Sequence, residues 1–196
     1  MTVLHFGNEN EKCSIDVLSV GYLTPGVAGT VVLARVSDRI VILDPGMVPT
    51  RHSILSPLAS LGIDPGDVSD VVISHHHPDH TINIALFHNA LVHDFQATYI
   101  NDSWTSRRAE GVRLADGFTL LETPGHTPQD ISVAMETTEG LIIYTHLWWD
   151  KNGPEFDKYS VDQAQLNQQR QRVLGLNPAW IIPGHGEPIL PENLSH

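Results

Sequence analysis

Ser74-His75-His76-His77-Pro78-Asp79-His80 is the stretch of this chain on which the prediction of its fold rests. It follows Val71-Val72-Ile73, a β-branched run that is typical of a buried strand. Pro124-Gly125-His126 and Pro183-Gly184-His185 repeat the arrangement, because each places a histidine in a Gly/Pro turn after an apolar run. Three distant segments therefore deliver imidazole and carboxylate groups from strand ends. This pattern indicates a catalytic site for zinc or a similar divalent ion.

The composition is typical of one globular domain. The 196 residues, of which 41% are hydrophobic, suffice for one substantial core, and residues 1–196 are predicted to form a single domain. The net charge of −12 disfavours binding to a polyanion, although metal ions would supply positive charge locally. Cys13 is the only cysteine, so no intramolecular disulfide can form and a cytoplasmic location is expected. No signal peptide is expected at residues 1–10, and no apolar run is long enough to span a membrane.

Short apolar runs separated by turn signals predict a chain made mostly of strands. Helices are predicted over residues 51–61, where apolar residues recur at helical spacing, over residues 160–174, and as a short segment over residues 81–87. The strands are predicted at residues 14–23, 29–36, 39–43, 71–73, 90–93, 97–100, 111–114, 118–122, 130–135, 141–145 and 179–182. Strand clusters interrupted by helices, in two similar halves, favour two packed sheets covered by helices.

His-x-His-x-Asp-His, followed in order by Thr-Pro-Gly-His and Pro-Gly-His-Gly, resembles the metallo-β-lactamase superfamily of metal-dependent hydrolases over about residues 44–185. The resemblance implies an α+β fold, an αββα four-layer sandwich with the site at one edge. It implies one or two zinc ions, with iron or manganese as alternatives, and Asp44 as a buried carboxylate that orients a ligand. The implied ligands, by motif, are His75, His77 and His126 for the first metal, and Asp79, His80 and His185 for the second.

His146 departs from the family's pattern. The pattern has a Gly-Asp pair after a strand, with the aspartate bridging both metals, where this chain has Thr145-His146. Imidazole binds a single metal through a given nitrogen and brings no negative charge. Three alternatives remain open: His146 ligates the second metal alone, the second metal binds weakly, or His146 is a catalytic acid or base. Asp79 is the other expected catalytic residue, placed to orient the attacking water and to pass a proton to the leaving group.

The resemblance predicts a hydrolase that uses a metal-activated water, and three functions remain open. The first is hydrolysis of an ester, lactone or thioester bond of a small molecule. The second is a phosphodiesterase or ribonuclease, disfavoured by the net charge but supported by short features at residues 93–95, 130–133 and 167–174 that resemble one nuclease subgroup of the family. The third is an iron-binding or redox-related metalloprotein. The chain lacks a Gly-x-Ser-x-Gly motif, so a serine mechanism has no support.

The loop after His146 is the expected wall of the substrate pocket, through Leu147, Trp148, Trp149, Lys151, Phe156 and Tyr159. Two interpretations of the adjacent tryptophans stay open: both stack on a planar or apolar part of the substrate, or one belongs to the core and the other forms a lid. The turn at residues 24–29 is a candidate flap. The expected partner is a small-molecule substrate, with nucleic acid disfavoured, no membrane, and a homodimer left open.

Overall fold

Side chains that alternate along the strands bury both faces of the sheets. In β3 (Val31–Val36), Val32 and Ala34 point into one apolar cluster, while Val31 and Leu33 point into another. In the computed structural model, which describes residues 4–8 and 13–194, the first cluster lies between two sheets. The second lies between the first sheet and a helix. This arrangement explains why the strands have nearly continuous apolar runs.

The strands of the described residues form sheets of eight and five strands. The first sheet contains, in spatial order, β1 (Leu4–Phe6), β2 (Cys13–Ser19), β3, β4 (Arg39–Leu43), β5 (Asp70–Val72), β6 (Leu91–His93), β7 (Ala97–Ile100) and β8 (Ser103–Ser106). The second contains β13 (Trp180–Pro183), β12 (Gly140–Thr145), β11 (Ile131–Thr137), β10 (Phe118–Glu122) and β9 (Arg113–Ala115). The parallel pairs are β4–β5, β5–β6 and β12–β13.

A helix covers the outer face of each sheet. Helix α1 (His52–Ser60) packs Ile54 and Leu58 against the first sheet, and each buried side chain contributes about 1.5–3 kcal/mol. Helix α3 (Gln163–Gly175) packs Leu166 and Val173 against the second sheet. The layers are helix, sheet, sheet and helix, which confirms the predicted αββα sandwich. Among the described residues, no helix is long and apolar enough to cross a membrane.

Beyond shifts of two or three residues at element ends, the structure differs from the predicted elements in four places. The strand predicted at residues 14–23 ends at Ser19, where a register shift interrupts the pairing of β2 with β3. The helix predicted at residues 81–87 is instead a single turn, α2 (Pro78–Thr81), followed by a 3₁₀ turn at Ile84–Leu86. Strands β1 and β8 were not predicted, and all four residues of β8 are exposed, so no apolar alternation marks that strand.

The carboxyl ends of several strands meet at one edge of the sandwich, and this is where the histidines lie. Strands β4 and β5 are parallel neighbours, so Asp44 and the histidine-rich stretch after Ile73 emerge side by side. Strands β12 and β13 are also parallel, so His146 and His185 emerge together from the second sheet. The turn after β10 adds His126. The topology therefore gathers residues that are distant in sequence.

Candidate metal centre

Seven donor side chains converge at this edge, and they are the seven metal ligands predicted from the sequence. Within each of three overlapping groups, the nitrogen or oxygen atoms all lie within 4.8 Å of one another. The groups are His75, His77 and His126; Asp79, His80 and His185; and His75, His80 and His146. The first two are the sets that the family motif implied, and the third adds His146 between them.

The first group brings three ring nitrogens into mutual contact. His77 Nδ1 lies 2.9 Å from His75 Nε2 and 3.1 Å from His126 Nε2. In the second group, Asp79 Oδ2 lies 3.4 Å from His80 Nε2 and 3.5 Å from His185 Nε2. Each set is therefore compact enough for its donors to share one ion.

Hydrogen bonds behind the cluster fix which nitrogen of each imidazole faces inward. In four histidines Nδ1 lies against an acceptor, so Nδ1 carries a proton and Nε2 faces the cluster. These pairs are His75 with Ser74 Oγ at 3.0 Å, His80 with Asp44 Oδ2 at 2.6 Å, His126 with Asp157 Oδ2 at 2.7 Å, and His185 with the Ala28 carbonyl at 2.7 Å. The Ser74 hydroxyl donates to Asp44 Oδ2, which leaves its oxygen free to accept from His75.

Two buried nitrogens in the cluster lack the partner that a bound ion would provide. Among the described residues, His80 Nε2 and His146 Nδ1 are buried without a hydrogen bond. A buried polar atom left unpaired costs about 1–3 kcal/mol, so it calls for an explanation. Imidazole nitrogens with one carboxylate are a donor set suited to zinc or iron. The residues present therefore fit a divalent ion.

The protonation states of three histidines in the cluster also suit metal binding. Burial, reinforced by the neighbouring histidines, lowers the pKa of His75 and His146 well below the ordinary 6.5. The same causes lower the pKa of His185 to about 4. These imidazoles are neutral at pH 7, which is the form that ligates a metal. Burial also lowers the pKa of His80, but the carboxylates of Asp44 and Asp79 outweigh it and raise the value to about 9.

Asp79 lies at the floor of the cleft and is ionised. Burial raises the pKa of its carboxyl, but the contact with His80 outweighs burial and lowers the value to about 2. Its side chain is 18% exposed, so it reaches solvent while most of the cluster does not. An accessible carboxylate beside buried imidazoles is placed to accept a hydrogen bond from water.

His146 occupies the centre of the cluster. Its ring centroid lies 4.6 Å from those of His75 and His80, 4.3 Å from that of His126, and 5.1 Å from that of His185. The absence of a side chain at Gly184 makes this position available, because a Cβ there would lie 2.2 Å from His146 Cδ2. The imidazole therefore stands between the two implied metal sets, where it can reach either one.

Asp44 connects the cluster to the core. Its Oδ1 accepts from the Ser74 amide at 2.6 Å, and its Oδ2 accepts from His80 Nδ1 and from the Tyr144 hydroxyl at 2.8 Å. Asp44 has a φ of 46°, a left-handed conformation that aspartate tolerates better than most residues. Burial and the neighbouring Asp44 carboxylate raise the pKa of Tyr144, so the phenol stays neutral and donates. The carboxylate thus holds His80 from behind.

Asp157 is a site residue that sequence reasoning missed. It is fully buried, and its carboxylate accepts from His126 and from Trp149 Nε1 at 2.9 Å. Burial raises the pKa of Asp157, but His126, the Tyr159 amide and Trp149 together outweigh burial and lower it. Asp157 lies 31 residues from His126, in a loop without periodic pattern, so no local sequence signal identifies the contact.

A cleft of 540 Å³ opens above the cluster. Its mouth is apolar: Leu23, Val27 and Met47 line one part, and Trp149 and Tyr159 line another. Lys158 is the one lysine or arginine among the described residues that line it. Val27 belongs to the turn that was expected to act as a flap.

The expected pocket wall is only partly correct. Trp149 and Tyr159 line the cleft, whereas Leu147 and Trp148 are buried in the core beneath α3, so one tryptophan is a core residue and the other faces the cleft. Lys151 lines a separate groove with Trp180. Phe156 is 71% exposed and lies outside the residues that line the cleft. The loop folds back on itself, which the linear sequence does not reveal.

The chain has relatives among known proteins. A family model described as the metallo-β-lactamase superfamily matches residues 24–94. Metallo-β-lactamase domain-containing protein 1 of Rattus norvegicus is 33% identical over 158 residues, which are 76% of this chain and 62% of that protein. The match therefore spans about three-fifths of the relative's length.

Solved structures share the fold. A metallo-β-lactamase-type protein from Thermotoga maritima has a TM-score of 0.72 at 21% identity, covering 92% of this chain and all of its own. AidC, described as a dizinc quorum-quenching lactonase, has a TM-score of 0.61 at 16% identity, covering 88% of this chain and 73% of its own. Similarity at these identities shows the fold alone.

Proposed function

The chain belongs to the metallo-β-lactamase superfamily, and we propose that it is a metal-dependent hydrolase, with zinc as the ion, that cleaves an ester, lactone or thioester bond of a small molecule. One observation carries the proposal: inward-facing nitrogens of buried histidines, with His80 Nε2 among them and without a hydrogen bond, converge at the floor of an open cleft. A structure of the same fold is described as a dizinc lactonase, so the fold is compatible with this reaction class.

In this proposal the two donor groups hold two ions. His75, His77 and His126 would hold the first, and Asp79, His80 and His185 would hold the second. His146 completes the second set through one nitrogen. When bound, such ions lower the pKa of a ligated water toward about 7 and polarise the scissile carbonyl oxygen. Asp79 would take up a proton from the attacking water and pass the same proton to the oxygen or sulfur atom of the leaving group.

The lining of the cleft supports a small apolar substrate. Leu23, Val27 and Met47 are each more than one-third exposed around the mouth, where an acyl chain or ring would cover them. A nucleic acid would require several cations along the cleft, whereas Lys158 is the single lysine or arginine among the described lining residues. The net charge of −12 also disfavours a nucleic acid as the substrate.

The experiment is a metal-loaded activity screen with matched variants. Protein with a measured zinc content is assayed against p-nitrophenyl esters, lactones, thioesters, bis(p-nitrophenyl) phosphate and RNA. Hydrolysis of a carboxylic ester, lactone or thioester supports the proposal, while cleavage of the phosphodiesters alone would replace it with a phosphodiesterase. Bound iron with no turnover of any substrate would replace it with a redox or iron-binding role.

His76 provides the matched control within the histidine-rich stretch. Its ring is half exposed and pairs with Asp94 at 3.1 Å, outside the cluster. His76→Ala is therefore expected to keep both metal content and activity, whereas His75→Ala loses both. Equal effects of the two substitutions would contradict the proposed ligand set.

A further inference from the structure

Asp157 joins a proposed metal ligand to the wall of the cleft. Its Oδ2 accepts from His126 Nδ1 at 2.7 Å and from Trp149 Nε1 at 2.9 Å. Its Oδ1 accepts from the amide of Tyr159 at 2.9 Å. The backbone of Asp157 is held in turn by the side chain of Gln163, at the start of α3, through bonds of 3.1 and 2.7 Å. Asp157 thus connects the proposed metal ligand His126, the aromatic wall of the cleft and the start of α3.

Among the described residues, no lysine or arginine forms an ion pair with the Asp157 carboxylate, although the charge of Arg170 acts on it from a distance. Its carboxylate is completely buried, and its one ion pair is with His126, which carries a positive charge only when protonated. A buried carboxylate held by neutral donors is costly unless a positive charge lies nearby. A divalent ion on the far nitrogen of His126 would add positive charge to the residue that Asp157 contacts directly.

The same carboxylate places the aromatic wall against the proposed metal ligands. The Tyr159 ring lies 5.5 Å from His126 and 5.8 Å from His77, measured between centroids. The Trp149 ring lies 5.9 Å from His126 and 5.9 Å from Tyr159. Both aromatic residues line the cleft. Without Asp157, the indole and the Tyr159 amide would lose the acceptor that holds them in place.

We propose that Asp157 is a positioning residue that couples metal binding at His126 to the placement of the Trp149–Tyr159 wall. The metal half of this inference rests on the proposed function. Because coupling between two events is reciprocal, an ion that stabilises the Asp157–His126 pair also stabilises the wall, and an ordered wall strengthens metal binding. A substrate that presses against the wall would then bind more tightly to the metal-loaded protein.

Asp157→Asn tests the coupling, with Asp150→Asn as its control. Both residues lie in the loop after β12. Asp150, however, accepts from the nearby Asn152 amide through Oδ1, and it lines the separate groove that contains Lys151 and Trp180. The first measurement is the indole ¹H–¹⁵N signal of Trp149 in metal-free protein, identified by its loss in Trp149→Phe. The second is Zn²⁺ affinity, measured by competition with a chelator in protein whose fold is verified by circular dichroism.

Asp157→Asn is expected to shift the Trp149 indole signal, to speed its exchange with water, and to weaken one Zn²⁺ site about 10–100-fold. Asp150→Asn is expected to change neither. Addition of Zn²⁺ moves the indole signal in the wild type and moves it less in Asp157→Asn.

An unchanged Zn²⁺ affinity or an unchanged indole signal in Asp157→Asn would overturn the inference while leaving the hydrolase intact. A wild-type protein that binds no divalent ion would overturn the proposed function and the coupling together.

Discussion

Replacement of Gly184 by alanine tests whether His146 stands where the structure has it. The added Cβ would lie 2.2 Å from His146 Cδ2, 2.7 Å from Nε2 and 2.8 Å from Cγ. Carbon atoms in contact prefer about 3.5–4.0 Å, so the imidazole must retreat by more than about 1 Å. The ring has little space to do so, because the rings of His126 and His75 lie 4.3 and 4.6 Å away.

We expect Gly184→Ala to lower the free energy of unfolding by about 1–3 kcal/mol, the usual cost of overpacking a filled interior. Displacement of His146 by about 1 Å should also reduce hydrolysis about 100-fold. Urea unfolding measures the first effect, and zinc content after dialysis, with initial rates, measures the second. The zinc lost should be that of the second site.

Gly175→Ala is the matched control, since a Cβ at the end of α3 would meet nothing within 4 Å. It should leave activity unchanged and stabilise the protein by up to about 1 kcal/mol, because glycine is unfavourable in a helix. If Gly184→Ala matches this control in stability and zinc content, His146 does not occupy the centre of the cluster and the reasoning fails.

Three further substitutions have definite expected outcomes. His146→Ala should lower occupancy of the second metal and leave the first nearly intact, and equal loss of both ions, or no loss, would reject that assignment. Asp44→Asn should cost about 3–5 kcal/mol in urea unfolding, because it breaks the buried pair with His80, and a cost below about 1 kcal/mol would argue against the pair. Asp70→Asn should also destabilise at pH 7, because the buried Asp70 carboxylate pairs with Arg39 and His93. Burial raises the pKa of Asp70, but its partners outweigh burial and lower the pKa below 3.8. The wild type therefore loses this stabilisation as the pH falls below 3.8. The stability deficit of Asp70→Asn should shrink in acid for the same reason. A deficit that is constant with pH would contradict this account.

Most strands and the convergence of the donor side chains could be predicted because their signals are local. Strands β7 and β10 have the predicted bounds, since apolar residues between turn signals mark both ends. The histidine motifs stand directly after buried strands, so their convergence follows from the strand ends of a two-sheet fold.

The features that were not predicted leave no recognisable pattern in the neighbouring sequence. Strand β8 is an edge strand with exposed residues, so no buried face imposes alternation on it. Helix α2 is one turn of four residues that begins at Pro78, which is too short for helical periodicity. Asp157 contacts residues in other parts of the chain, and Trp148 and Trp149 are separated by the fold into core and cleft.

The most direct test of the central claim, that the histidine cluster binds divalent metal, is a crystal structure of zinc-loaded protein with anomalous difference maps on both sides of the zinc edge. The account predicts one ion bonded to His75, His77 and His126, and a second bonded to Asp79, His80 and His185 with His146, each about 2.0–2.2 Å from its ligands. Anomalous peaks that appear elsewhere, with none in the cluster, would contradict it.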